Sequence, residues 1–134
     1  MMTIADRIQR SVSNKKSDVF LRTDFESFGS AAQVGRALGA LRARGALVRL
    51  GVGVYARAKP SVLSGKPIPV KPLEILGPVA LARLGVLVQP SPLVLAYNSG
   101  QSTQVPAGVV VNVGKRRVER KLGFNGKFVE YVRV

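Results

Sequence analysis

The chain has 134 residues, 21 Lys plus Arg against 7 Asp plus Glu, and a formal charge of +14. It contains no Cys and no His, which excludes a disulfide framework, a zinc–thiolate centre, a thiol nucleophile and a Ser-His-Asp triad, and leaves a transition-metal site without its usual ligands. Hydrophobic residues at 46% and charged residues at 21% supply a core that a disordered basic tail would lack. Aromatics are 6% and Trp is absent, so that core is aliphatic. The length suits one ordinary domain or two very small ones. The excess of positive charge favours a polyanionic partner through release of condensed counterions. Ribosomal, DNA-binding and acidic-membrane proteins share that trait.

Residues 1–10 carry Asp6, Arg7 and Arg10 and no apolar run, unlike a signal peptide. The most apolar stretch, Leu73 to Val88, is interrupted by Glu74, Pro78 and Arg83 and is too short and broken to span a bilayer. The expectation is a soluble, cytoplasmic protein without a membrane partner. No internal repeat or low-complexity tract is visible.

Ile4, Ile8 and Val12 fall at helical spacing beside Ala5, with Thr3 placed to cap and Asp6 suited to the first turn. They predict a helix over 3–14. Val19-Phe20-Leu21 has strand character. Thr23 or Asp24 then caps a brief second helix through Phe28, ending at Gly29. Ser30 caps a third helix that runs to about Arg44 and stops at Gly45, with Val34, Ala37, Leu38 and Leu41 as its apolar stripe. Leu47, Val48 and Leu50, the turn Gly51-Val52-Gly53, and Val54, Tyr55 and Ala56 predict a hairpin.

Helix, strand, helix, helix, hairpin is the order of the winged helix-turn-helix, with Gly29 in the short turn that motif needs. The third helix would enter the major groove. Its outward face is expected to carry Ser30, Gln33, Arg36, Ala40 and Arg44, with Gln33 suited to adenine and Arg36 to guanine. Ala31, Ala32, Gly35, Gly39 and Ala40 are small enough to let the backbone approach a partner. Gly35 and Gly39 would equally suit packing against the first helix. The hairpin would be the wing, with Arg49, Arg57 and Lys59 reaching phosphates. The competing reading is a plain helical core, in which Arg36, Arg42 and Arg44 form a solvated face.

Pro60, Pro67, Pro69 and Pro72 within residues 58–72 predict an extended connector. It would separate a DNA-binding domain, 1–57, from a small α+β domain, 73–134. Residues 1–57 hold 10 basic and 4 acidic residues, and residues 58–134 hold 11 and 3, so positive charge is not confined to one tail.

Beyond the connector, a helix is predicted over Leu73–Leu84, with Pro72 before it, Gly85 after it and Pro78 placed to kink or split it. Val86 to Gln89 reads as a short buried strand. Ser91 and Pro92 open a helical turn to about Asn98, and a polar loop covers Ser99 to Pro106. Gly108 to Val113 reads as a strand. Arg117 to Phe124 and Lys127 to Val134 flank the hairpin signal Asn125-Gly126, giving a terminal antiparallel sheet. The run Lys115-Arg116-Arg117-Val118-Glu119-Arg120-Lys121 would grip phosphates or an acidic protein, or serve as a charged edge strand that resists aggregation. The loop from Ser99 to Pro106 would bind through its hydroxyls and amides, or simply stabilise a turn.

Catalysis has little support. Asp6, Asp18 and Asp24 lie in the first half, only Glu74, Glu119 and Glu130 in the second, and no spacing suggests convergent carboxylates. Gly51-Val52-Gly53 lacks a third glycine and precedes a strand, so it is not a nucleotide fingerprint. A non-enzymatic protein without cofactor is expected.

The chain resembles the AbiEi-type antitoxins of type IV toxin–antitoxin systems over most of its length. The resemblance rests on Val19-Phe20 before Asp24-Phe25, on Gly29-Ser30-Ala31 opening the third helix with Leu38, Leu41 and Gly45 closing it, and on Gly53-Val54-Tyr55. It continues through Gln89-Pro90-Ser91, Ala96-Tyr97-Asn98 and Ser102-Thr103-Gln104-Val105-Pro106, the most specific string. It implies a protein that binds inverted repeats in its own promoter through a winged helix, represses the operon, and antagonises a nucleotidyltransferase toxin without a stable complex. Gln33, Arg36 and Arg44 would be helix contacts, and Arg49 and Arg57 wing contacts. The rival readings are an RNA-binding protein, a protein-interaction module built on 115–121, a metal-dependent nuclease, or a stand-alone regulator without a toxin.

Overall fold

Helix α1 (Ile4–Asn14) forms where Ala5, Ile8 and Val12 share one face, and all three are buried. Thr3 and Asp6 close a reciprocal cap: the Thr3 hydroxyl accepts from the Asp6 N–H, and the Asp6 carboxylate accepts from the Thr3 N–H, each at 3.1 Å. Two of the orphan donors of the first turn are thereby satisfied. The computed structural model describes residues 2–86, 88, 110–114, 117–118 and 120–132 of a mixed α+β chain. It divides into two units, Met1–Val70 and Lys71–Val134.

Strand β1 (Val19–Leu21) leads into a 3-10 segment, Arg22–Phe28. The sequence predicts a helix capped by Thr23 or Asp24. The segment instead starts at Arg22, because the Asp24 carboxylate reaches back to accept from the Leu21 N–H at 2.9 Å. Phe25 leaves helical geometry at φ −117°, ψ 18° and is fully buried, in tilted contact with the rings of Phe20 and Phe28 at centroid distances of 6.4 and 6.1 Å.

Helix α2 (Ala31–Ala43) begins at a second reciprocal cap, between Ser30 and Gln33, and ends at Arg44. Gly45 follows with φ +78°, the left-handed conformation that glycine adopts most readily after a helix. Val34, Ala37, Leu38 and Leu41 are buried as their spacing predicts. They join Ile8, Phe20, Phe25, Leu47 and Tyr55 in one core. Complete burial of a large aliphatic or aromatic side chain contributes roughly 1.5–3 kcal/mol.

Strands β2 (Leu47–Gly51) and β3 (Val54–Pro60) form the expected hairpin, with a register shift between Arg49 and Gly51. Strand β1 pairs antiparallel with the first half of β3, Val19 opposite Ala56, and the sheet order is β1-β3-β2. The second half of β3 is not a connector. It pairs antiparallel with β4 (Pro67–Pro69), Ala58 opposite Pro69 and Pro60 opposite Pro67. Prolines cannot donate. The ladder closes through neighbours that can: Ser61 N–H to Lys66 O and Val70 N–H to Arg57 O, both at 2.9 Å. The first unit therefore runs to Val70 rather than to residue 57.

Arg57 fastens this unit together. Its Nε donates to Asp18 Oδ1 at 3.2 Å. Its Nη2 lies within 2.9 to 3.1 Å of the carbonyls of Val12, Lys15 and Ser17. Its guanidinium lies 5.3 Å from the centre of the Phe20 ring. Helix α1 has no basic residue in its last turn, so Arg57 supplies the positive charge that the C-terminal end of a helix favours. A fork of planar donors suits this arrangement, and a lysine does not.

In the second unit, α3 (Leu73–Arg83) runs unbroken past Pro78, so the predicted split does not occur. Gly85 follows at φ +84°. Leu73, Ile75, Leu76, Ala80 and Leu81 are buried, as is Glu74, which pairs with Lys127. Val86 and Val88 are half-buried and not in a strand, which corrects the expected strand there. The helical turn at 91–98 and the loop at 99–106 lie outside the described residues. Strand β5 (Val110–Asn112) pairs with β8 (Glu130–Val132) in parallel. Strands β6 (Gly123–Phe124) and β7 (Lys127–Phe128) form an antiparallel hairpin, with Asn125 and Gly126 at φ +56° and +84°, the conformation that Asn-Gly turns favour. The expected closing antiparallel sheet is thus a two-stranded hairpin beside a parallel pair. No described helix is long and apolar enough to cross a membrane.

Arg57→Ala should lower unfolding free energy by about 2–3 kcal/mol, and Arg57→Lys should recover only part of it; urea denaturation measures both. The Asp6 carboxyl is held below its ordinary value, first by the Thr3 N–H, then by the Thr3 hydroxyl and Arg44. A depressed carboxylate stabilises fully above its unfolded pKa and loses that contribution as pH falls through the folded one. Asp6→Asn should therefore lower the melting temperature at neutral pH, with the gap to the parent closing as pH falls below the ordinary carboxylate range.

Candidate nucleic-acid interface

The seven residues expected to touch DNA divide into two groups. Ser30, Gln33, Arg44 and Arg57 are engaged in holding the fold. The Ser30 hydroxyl accepts from Gln33 N–H at 3.2 Å, and Gln33 Oε1 accepts from Ser30 N–H at 2.9 Å. The amide oxygen expected to read adenine is thus half of a helix cap. The same oxygen explains Gly29, where an added Cβ would approach it to 2.8 Å and the Ile4 Cδ1 to 3.2 Å. Arg44 Nη1 donates to Asp6 Oδ1 at 3.0 Å and Gln9 Oε1 at 2.8 Å, which ties α2 to α1. Arg57 lies inside the network described above and is not a surface wing residue.

Arg36, Arg49 and Lys59 are exposed. Arg49 Nε donates to Gly51 O at 3.1 Å within its own hairpin. Its guanidinium otherwise remains at the surface.

The solvent face of α2 is rotated from the one expected. Ala40 is half-buried against the core, and Arg44 leans on α1. Turning about 100° per residue from the centre of the buried stripe places Ala32, Arg36, Gly39 and Ala43 opposite the core, with Gly35 and Arg42 alongside. All six are exposed. Arg42 is exposed as well, about 120° round the helix from Arg36 on the flank that carries Gly35. The two glycines do not pack on α1. A Cβ added at Gly35 or Gly39 meets nothing within 4 Å. A helix-interior glycine costs about 0.5–1 kcal/mol relative to alanine, and no contact within the first unit offsets it. The result is a helix surface with almost no side-chain relief apart from two arginines.

Other cations of this unit lie over rings. Arg7 sits 5.2 Å from the centre of Phe28 and Lys15 5.2 Å from that of Phe25, within the range of favourable cation–π contact. Arg7 also lines an open depression of about 380 Å³ with Met2, Arg10, Ser11, Asn14 and Phe28.

In the second unit, Arg117, Arg120 and Lys121 are exposed, Val118 is half-buried, and none of them is in a strand. The expected charged edge strand over 115–121 is therefore not formed at its described positions. Lys121 lies over the ring of Phe128 at 5.1 Å. Lys115, Arg116 and Glu119 lie outside the described residues. Among the described residues, no group of three acidic side chains could hold a metal ion.

Gly35→Ala and Gly39→Ala should each raise stability by roughly 0.5–1 kcal/mol, read as a higher denaturation midpoint. A drop instead would place a neighbour against that face.

No curated protein and no solved structure matches the chain. One family does, over residues 3–125 and so over both units: the chain belongs to DUF6088, a family of unknown function.

Proposed function

We propose that the first unit is a winged helix-turn-helix and that the chain is a sequence-selective double-stranded DNA-binding protein. In this reading α2 is the recognition helix, the β2–β3 hairpin is the wing, and no catalysis is involved. One observation carries it. The tight turn at Gly29 sets α2 after the 3-10 segment, and α2 turns Arg36, Arg42 and two contactless glycines outward. A helix that seats in a major groove needs a low surface beside a few long donors, because the backbone must come close for those donors to reach base edges. Arg36 is the base-reading side chain. Arg42, Arg49 and Lys59 bind phosphates. The order of elements in the first unit and the +14 charge support the same partner.

The biological role we propose is that of antitoxin and autorepressor in a type IV toxin–antitoxin operon. Two copies would bind an inverted repeat in the promoter, and the second unit would antagonise a nucleotidyltransferase toxin. Support for this role is the resemblance of the sequence to AbiEi-type antitoxins, whose most specific string, Ser102 to Pro106, lies outside the described residues.

Gel-shift titration with the chain's own promoter tests the DNA reading. Arg36→Ala should weaken specific binding by about 1–3 kcal/mol and relax preference at one base, whereas Arg49→Ala should weaken all duplexes alike. Gly35→Ala and Gly39→Ala should weaken promoter binding while stabilising the protein, an opposition that a purely structural helix would not produce. Unchanged binding in Arg36→Ala would remove α2 from the interface.

A further inference from the structure

The tip of the β3–β4 hairpin presents two aliphatic side chains wholly to solvent. Val62 is 100% exposed and Leu63 95%. They stand on an ordered turn. Gly65 N–H donates to Ser61 O and Ser61 N–H to Lys66 O, each at 2.9 Å, and the Ser61 hydroxyl accepts from the N–H groups of Leu63 and Ser64. Lys59 and Lys66 flank the tip and are exposed, and Pro60 and Pro67 face one another at its base. Scattered exposed aliphatics are ordinary. Two adjacent ones held out by an internally bonded turn, between two cations, are not.

Resting on the DNA reading above, we propose that this hairpin is an apolar wedge. Lys59 and Lys66 engage phosphates on either side of a minor groove, and Val62 and Leu63 press between base steps and kink the duplex. Magnitudes select this occupant. A wedge needs only one or two apolar side chains at a flexible step. A bilayer needs more: the seven side-chain carbons of Val62 and Leu63 are about half of a single myristoyl chain, which alone anchors only marginally. A second copy of the chain would need an interface of roughly 1,200 Å² or more, far beyond two side chains. The flanking lysines complement a polyanion and would repel the same tip of another copy.

The test uses the full chain and end-labelled duplexes of about 30 base pairs, of mixed sequence and with or without a central TpA step. Energy transfer reports the bend, and titrations at several salt concentrations report affinity. The parent protein should bring the duplex ends together, most with the TpA step. The doubly substituted Val62→Ser, Leu63→Ser protein should bind about tenfold more weakly without bending, with its salt dependence unchanged. Lys59→Ala and Lys66→Ala should each reduce the salt slope by about one. Circular dichroism should show the folded state in all of them, because every altered side chain lies in solvent. Parent binding without bending, or equal bending by the doubly substituted protein, overturns the wedge and leaves the DNA reading standing. No duplex binding by the parent overturns both. An unchanged DNA response, with altered sedimentation or lost binding to phosphatidylserine vesicles, overturns the wedge in favour of a second copy or a lipid surface.

Discussion

A single guanidinium organises the N-terminal unit. Arg57 reaches from the middle of β3 to the end of α1, the loop after it and Asp18. Its own backbone joins the same junction, donating to Asp18 O at 2.8 Å and accepting from Val70. The helix end, the entry to β1, and β4 are thus fixed relative to one strand. Carbonyls at a helix terminus that is half-buried need donors, and here a residue more than 40 positions away provides them. The position of α1, and of α2 packed against it, follows from that attachment.

The basic character of the chain consequently has two parts. Some cations hold the fold: Arg57 and Arg44 in ion pairs, and Arg7 and Lys15 over phenylalanine rings. The Phe25 ring touches both Phe20 and Phe28, and each of the three rings carries one cation. Arg57 and Lys15 are half-buried and Arg7 and Arg44 are exposed but engaged, whereas Arg36, Arg42, Arg49, Lys59 and Lys66 project into solvent for a polyanion to meet. Formal charge overstates the electrostatic surface that a partner encounters, and the positions of the spared cations shape a binding face more than their number does.

Elements governed by local rules were legible in the sequence. The caps at Thr3 and Ser30, the buried stripes of α1 and α2, the stop at Gly45 and the Asn125-Gly126 turn all depend on residues within a few positions of one another. What escaped depends on distant partners. A helix cap and a base-reading amide look alike in sequence, and only the Ser30–Gln33 geometry distinguishes them. Arg57 alternates correctly for a wing residue, but its partners lie before and within β1's approach. The prolines of 58–72 suggested a linker because proline opposes ladders in general, although an edge strand tolerates them when neighbours donate. The rotated face of α2 was within reach of the helical period. The pairing of β5 with β8 was not, since nothing local specifies parallel partners separated by so much chain.

The shared use of β3 also sets a lower bound on what can be cut from this protein. One strand serves β1, β2 and β4 along its seven residues. A fragment stopping at the apparent linker would strip β4 from the second half of β3 and take away the Val70 donor, baring main-chain groups where an unpaired edge invites association. A fragment starting after Leu21 would remove the acceptors around Arg57 and leave its charge half-buried. The smallest piece worth expressing alone therefore spans Thr3 to Val70, and a protease site or fusion joint belongs beyond Val70 rather than among the prolines.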